Sequence, residues 1–226
     1  MLDAISRTRP EDLAKMIDST LLKPTARARD ALELVREAAS MGFHCAMLPP
    51  TLVEDARREA EELGVRLCSV TGFPSGMHPL KAKLAEVQHL ASLGVVEVDV
   101  VPNLATGEDL EALVEGARQA GVKVVKVIVE APIQDDASLA RLVEAASRAG
   151  ADYVKTSTGV YSKGGDYDTV HRLHMLAAPR GLRVKAAGGI RNGLQAILAI
   201  AAGASRIGTS SGAGVLRSYR ELVGQA

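Results

Sequence analysis

The stretch Leu110–Val129, LEALVEGARQAGVKVVKVIV, holds the unit from which the chain is built. Apolar residues recur at helical spacing from Leu110 to Ala120, Gly121 interrupts, and Val122–Val129 is the β-branched run of a buried strand. Glycine suits the end of a helix because it takes the left-handed conformation without a Cβ penalty. The same order returns at Gly42, Gly64, Gly94, Gly150, Gly181 and Gly203, the successive glycines lying between 22 and 31 residues apart. Strands are therefore predicted at Phe43–Leu48, Val65–Gly72, Val95–Val101, Val122–Val129, Ala151–Thr156, Leu182–Ala187 and Ala204–Gly208. Met16–Leu22 adds one before the first glycine, after a short helix around Pro10–Lys15. Eight strands, each followed by a helix, imply right-handed βα crossovers and a parallel sheet, either closed or open and doubly wound. The near-regular repeat, with no G-x-G-x-x-G after the first strand, favours a closed (β/α)8 barrel. No linker or charge block divides it, so one domain is expected over 1–226, with the short extra helix at its N-terminus.

Bulk properties narrow the ligand. The chain has 27 basic and 27 acidic residues, and this zero balance gives no field for nucleic acid or an anionic membrane. Aromatics are 3% with no Trp, so stacking platforms for single strands are lacking. Small metabolites remain. Cys45 and Cys68 form no CxxC pair and read as buried thiols in a reducing compartment. No run approaches the roughly 18 apolar residues of a membrane span, and Met1–Lys15 has no signal-like apolar core; a cytoplasmic protein is expected.

In a TIM barrel the reactive groups sit at the C-terminal strand ends, so charges inside otherwise apolar strands are informative. The first strand carries Asp18 and Thr20, and the fourth carries Glu97 and Asp99 on one side. The fifth, sixth and seventh carry Lys126, Lys155 and Lys185. Each lysine alone could pack its stem and pair with a carboxylate. Three at one barrel mouth point instead to amine chemistry. To attack a carbonyl, a lysine must lose its proton, and lowering its pKa from about 10.4 to roughly 7 takes on the order of 4 kcal/mol. Burial and a neighbouring cation supply this, and Lys155 and Lys185 lie on adjacent strands. Asp99 could then hold an ammonium and relay protons.

The last two loops read as an anion grip. Ala186–Arg191 (AAGGIR) follows Lys185, and Gly208–Gly212 (GTSSG) ends the eighth strand. Glycines let backbone N–H groups approach an anion where a helix begins, and these are the loops with which barrels bind phosphate.

The runs DSTLLKP (Asp18–Pro24), VTGFPSG (Val70–Gly76), EVDVVPN (Glu97–Asn103), VKVIVE (Val125–Glu130), ADYVKTSTG (Ala151–Gly159), KAAGGIR (Lys185–Arg191) and RIGTSSG (Arg206–Gly212) resemble deoxyribose-phosphate aldolase, a Schiff-base (class I) aldolase family. The resemblance implies reversible cleavage of 2-deoxy-D-ribose 5-phosphate to D-glyceraldehyde 3-phosphate and acetaldehyde, without metal or cofactor, in a homodimer or homotetramer. It implies Lys155 as the Schiff-base nucleophile, Lys185 as the partner depressing its pKa, and Asp99 as the proton relay. Phosphate contacts fall on Gly188, Gly189, Gly208, Ser210 and Ser211, with Gly159 close by; Asp18, Thr20, Lys126 and Arg191 are further site candidates. Two departures stand out. Where the family has a Cys-Val-Asn-Pro-like segment, this chain reads Cys45-Ala46-Met47-Leu48-Pro49-Pro50, without an asparagine. After Gly159 comes Val160 rather than a basic residue, which leaves more of the charge to Arg191 or backbone amides.

Three other features read as structure. His171 and His174 lie at i, i+3 with no third metal ligand evident, and fit a solvated helix face. The run Arg57, Arg58, Glu59, Glu61, Glu62 fits the exposed face of an amphipathic helix. Cys45 and Cys68 fit buried strand positions. The rival functions are another Schiff-base barrel aldolase or transaldolase, and a catalytically silent phosphate-binding barrel.

Overall fold

The computed structural model describes residues 8–224; residues 1–7 and 225–226, included in the expected domain, lie outside the described residues. Eight parallel strands close into a barrel in sequence order, with β1 pairing both β2 and β8. They are β1 (Ile17–Thr20), β2 (Cys45–Leu48), β3 (Leu67–Thr71), β4 (Glu97–Val100), β5 (Val124–Ile128), β6 (Tyr153–Lys155), β7 (Arg183–Ala187) and β8 (Ala204–Thr209). A short helix, α1 (Pro10–Ala14), precedes β1. Each strand is followed by one long helix: α2 (Ala28–Met41), α3 (Pro50–Glu62), α4 (Leu80–Ser92), α5 (Leu110–Gln119), α6 (Asp136–Arg148), α7 (Tyr167–Ala177), α8 (Gly193–Ala201) and α9 (Gly212–Leu222). This is the (β/α)8 barrel with an extra N-terminal helix that the glycine repeat predicts. All seven repeat glycines take positive φ, from 65° to 110°. Gly42 shows why: in the left-handed conformation its N–H reaches back to Ala38 and Ala39 and satisfies carbonyls that α2 would otherwise leave free.

Polar caps start several helices. Asp135, Asp166 and Asn192 accept from the N–H three residues on, at 2.7, 2.9 and 2.9 Å. Two layers of side chains fill the molecule. The larger lies between strands and helices, with Val98, Val100, Val125, Val127, Val154, Val184 and Ile207 buried against residues such as Leu113, Leu139 and Leu173. Inside the barrel, β2 and β3 contribute a separate apolar cluster of Cys45, Met47, Cys68 and Val70. Both cysteines are free and buried, as expected. The remaining strands put charge there.

Candidate functional site

Strand alternation aims every second residue of β4 to β8 at the barrel axis. Register then sets neighbours: Lys126 pairs with Asp99 across β4–β5, and Lys155 with Lys185 across β6–β7. Lys155 Nζ lies 2.8 Å from Asp99 Oδ2. Lys185 Nζ donates to the same oxygen at 2.7 Å and to Asp18 Oδ2 at 2.5 Å. Asp18 Oδ1 accepts from Arg206 at 3.0 Å. Lys126 Nζ sits 3.0 Å from Glu97 Oε2 and 3.2 Å from Asp99 Oδ1, as ion pairs without hydrogen-bond angles. From the more exposed end, His44 Nε2 lies 2.7 Å from Glu97 Oε1, and Arg66 Nη1 lies 3.7 Å from the same oxygen. Space for this array depends on Gly208, where a Cβ would come within 3.0 Å of the Lys185 Cε.

The protonation pattern follows from burial and neighbours. Burial alone would raise the Asp99 carboxyl, but Lys155, Lys185 and Lys126 outweigh it and hold it well below the usual range. Asp18 is likewise held down against burial by Lys185, Lys126 and Arg206. Glu97, facing His44 and Lys126, falls to about 2 despite its burial. Burial would strip protons from Lys126 and Lys185, yet the carboxylates win and both lie above the ordinary lysine value. Lys155 goes the other way. Burial lowers it most, Asp99 opposes, and Lys185 and Lys126 push it down further. It is the one lysine of the three whose surroundings shift it toward the free amine.

Above this array the strand ends open on a cavity of about 350 Å³, a size suited to a small ligand. Lys155 lines it; Asp18, Glu97, Asp99, Lys126, Lys185 and Arg206 lie beneath and do not. Of the other sequence candidates, Thr20, Gly159, Gly188, Gly189, Arg191, Gly208 and Ser210 share the cavity wall. Ser211 does not; its N–H is bonded to Thr209 Oγ1 at 2.9 Å where α9 begins. The loops after β6 and β7 are tied together: Thr156 Oγ1 donates to the Ala187 carbonyl at 3.0 Å and accepts from its N–H at 2.9 Å. Gly188 permits that approach, with φ 92° and only 2.6 Å between a built Cβ and Ser157 Oγ. Met47 and Leu48, at the segment lacking an asparagine, are fully buried.

Three positions in or beside the site are absent from the sequence reading. Arg206 is a charge within an apolar strand, two residues before Gly208 and on its face, so alternation marks it. Lys23, in DSTLLKP, lines the cavity with Arg191 as its second peripheral cation. Glu130 directly follows the fifth strand and is completely buried. The histidines stay on a helix face, where His171 stacks on Tyr167 with ring centroids 5.7 Å apart. Arg57, Arg58, Glu61 and Glu62 are exposed. Among the described residues no cluster of three or more His, Cys, Asp or Glu could hold a metal ion, and no helix is long and apolar enough to cross a membrane.

Residues 13–218 match the family model described as DeoC/LacD family aldolase. A deoxyribose-phosphate aldolase of Aeropyrum pernix is 53% identical over 219 residues, covering 95% of this chain and 93% of its own. One of Bacillus subtilis is 37% identical over 212 residues, covering 91% and 95%. A solved structure of the Aeropyrum pernix aldolase, described as a unique tetramer, superposes with TM-score 0.94 at 51% identity over 98% of this chain and 97% of its own.

Proposed function

The chain belongs to the DeoC/LacD family of aldolases, and from that premise we propose that it is a lyase cleaving 2-deoxy-D-ribose 5-phosphate reversibly to D-glyceraldehyde 3-phosphate and acetaldehyde through a Schiff base on Lys155. One observation carries the assignment of the nucleophile. Lys155 alone joins the buried ionic array to the open cavity, and it alone among the three lysines has its pKa lowered.

The chemistry runs as follows. The neutral Lys155 amine attacks the C1 carbonyl of the open-chain sugar, and Asp99, 2.8 Å away, carries a proton as the carbinolamine forms and water leaves. The resulting iminium restores a positive charge beside Asp99, which stabilises it. Loss of the C3 hydroxyl proton breaks the C2–C3 bond and releases glyceraldehyde 3-phosphate, the electron pair passing into an enamine. Protonation at C2 and attack by water return acetaldehyde and the free lysine. Lys185, held cationic by Asp18 and Asp99, stays a charge and not a nucleophile. Gly159, Gly188, Gly189, Gly208 and Ser210 take the phosphate with backbone and hydroxyl donors, and Lys23 and Arg191 supply positive charge at the rim. Ser211, next to Ser210 where α9 begins, is a further phosphate contact in this reading. One domain over 1–226 carries the activity. A homo-oligomer is supported by the tetramer described for the Aeropyrum pernix relative, and a cytoplasmic location by two free buried thiols.

Turnover of deoxyribose 5-phosphate in excess chelator, with borohydride trapping of acetaldehyde and peptide mapping, tests this. Glyceraldehyde 3-phosphate should appear and the adduct should map to Lys155. An adduct on Lys126 or Lys185 would overturn the residue assignment; no product and no adduct would leave a silent phosphate-binding barrel.

A further inference from the structure

Outside the lysine array, one buried carboxyl is held by two neutral donors. Glu130 is fully buried, and it is the sole non-glycine with positive φ among the described residues, at φ 49° and ψ 49°. A left-handed side-chain residue and a buried carboxyl with no ion-pair partner among the described residues are both unfavourable, so the surroundings must over-determine them. Its Oε2 accepts from the Thr158 N–H at 2.9 Å, and its Oε1 from the Ser162 hydroxyl at 2.5 Å.

These two donors bracket Gly159, Val160 and Tyr161. Thr158, Gly159 and Val160 form one wall of the cavity above Lys155. Val160 and Tyr161 are 57% and 52% exposed, so apolar packing gives this segment little hold. Gly159 lies beside Gly188, a built Cβ being at ordinary contact distance, 3.6 Å, from the Gly188 Cα. One carboxylate thus fastens both ends of the loop that meets the glycine pair after β7. We infer that Glu130 is a positioning residue that holds the loop after β6 in the form that grips the substrate phosphate. The inference rests on the phosphate reading above. Glu130 does not line the cavity, so it acts on phosphate binding and leaves imine formation alone.

Glu130→Ala removes both holds. Glu130→Gln keeps an acceptor for Thr158, and the Ser162 hydroxyl can turn to accept from the new amide. Glu130→Ala should weaken binding of inorganic phosphate, titrated by calorimetry, and raise KM for deoxyribose 5-phosphate by about tenfold or more, with Glu130→Gln within about threefold of the parent. Borohydride trapping of acetaldehyde, which has no phosphate, should keep its rate and pH profile in both variants. Phosphate affinity unchanged in Glu130→Ala, acetaldehyde trapping lost in step with phosphate binding, or Gln no better than Ala would each overturn the proposal. Should Glu130→Ala fail to fold, Ser162→Ala removes one hold from the loop side and should show a smaller loss of the same kind; no loss there counts against the proposal. The two readings fail differently. A wrong substrate appears as a parent enzyme without turnover, a wrong role for Glu130 as variants that bind phosphate like the parent.

Discussion

Neighbouring residues of β5, β6 and β7 face opposite surroundings. Val125 and Val127, Val154, and Val184 and Ala186 point to the helices and lie in the aliphatic layer, while Lys126, Lys155 and Lys185 between or beside them point to the barrel axis. The outer face is held by shape and area. Each side chain there contributes burial, and losing part of one is felt locally. The inner face is held by a balance of charge. Asp18, Glu97 and Asp99 are anionic; Lys126, Lys185 and Arg206 are cationic; with Lys155 neutral the sum over these seven groups is zero. A change at one inner position therefore reaches all the others, and Lys155, the one member bordering the cavity, absorbs it.

The sharpest way to break this contrast is Lys185→Leu. Lys185 lowers the Lys155 pKa, and its loss also leaves Asp18 and Asp99 short of a counter-charge, so the Lys155 ammonium is favoured twice over. The pKa of imine formation should rise, cutting trapping at neutral pH by roughly 10–1,000-fold, with recovery at alkaline pH. Lys155→Leu should show no recovery. The rate of borohydride-trapped adduct against pH reads both. An unshifted profile for Lys185→Leu would leave it only a proton-transfer role.

Arg206→Met asks whether the balance acts beyond direct contact. Arg206 bonds Asp18 at 3.0 Å and lies 3.7 Å from Glu97, but is not an ion-pair partner of Asp99. Its removal leaves the array one positive charge short, so the trapping profile should move to alkaline pH by less than in Lys185→Leu. Breaking a buried pair also costs about 3–5 kcal/mol of stability, so the profile should be taken well below the melting temperature. A shift toward acid would contradict the charge balance.

The same contrast explains what the sequence discloses. Glycine after each helix and β-branched runs after each glycine are local signals, and all eight strands appear within a few residues of their expected bounds. Lys155, Lys185 and Asp99 were visible because a charge inside an apolar strand violates the outer pattern. Arg206 obeys the same rule, standing third in β8 on the face of Gly208, although only the motif around it was read from the sequence. Glu130 was hidden for another reason. Its role comes from pairing with Thr158 and Ser162, some 28 and 32 residues later, which no local periodicity encodes. Ser211 shows how little a local motif fixes: a serine in a glycine-rich loop suggests a ligand contact, and its N–H also serves the turn into α9.

The smallest effect on chemistry, and the control for the whole comparison, is Val154→Ala. Val154 is the immediate neighbour of Lys155 on β6 but faces the helices and is fully buried in the aliphatic layer. Removing its two methyl groups should cost roughly 2 kcal/mol, at about 0.8 kcal/mol for each plus a cavity contribution. For a chain of this length that is a fall in Tm of about 4–8 °C. Neither charge nor hydrogen bonding changes inside the barrel, and the backbone bonds that fix Lys155 remain, from the Val129 N–H to the Lys155 carbonyl at 3.0 Å and from the Thr156 N–H to the Lys185 carbonyl at 3.0 Å. The pH profile of acetaldehyde trapping should therefore overlay the parent at a temperature where both are folded. A displaced profile would mean that packing on the outer face positions Lys155 against Asp99 closely enough to alter its proton affinity, and the two faces of the strand would then be coupled rather than separate.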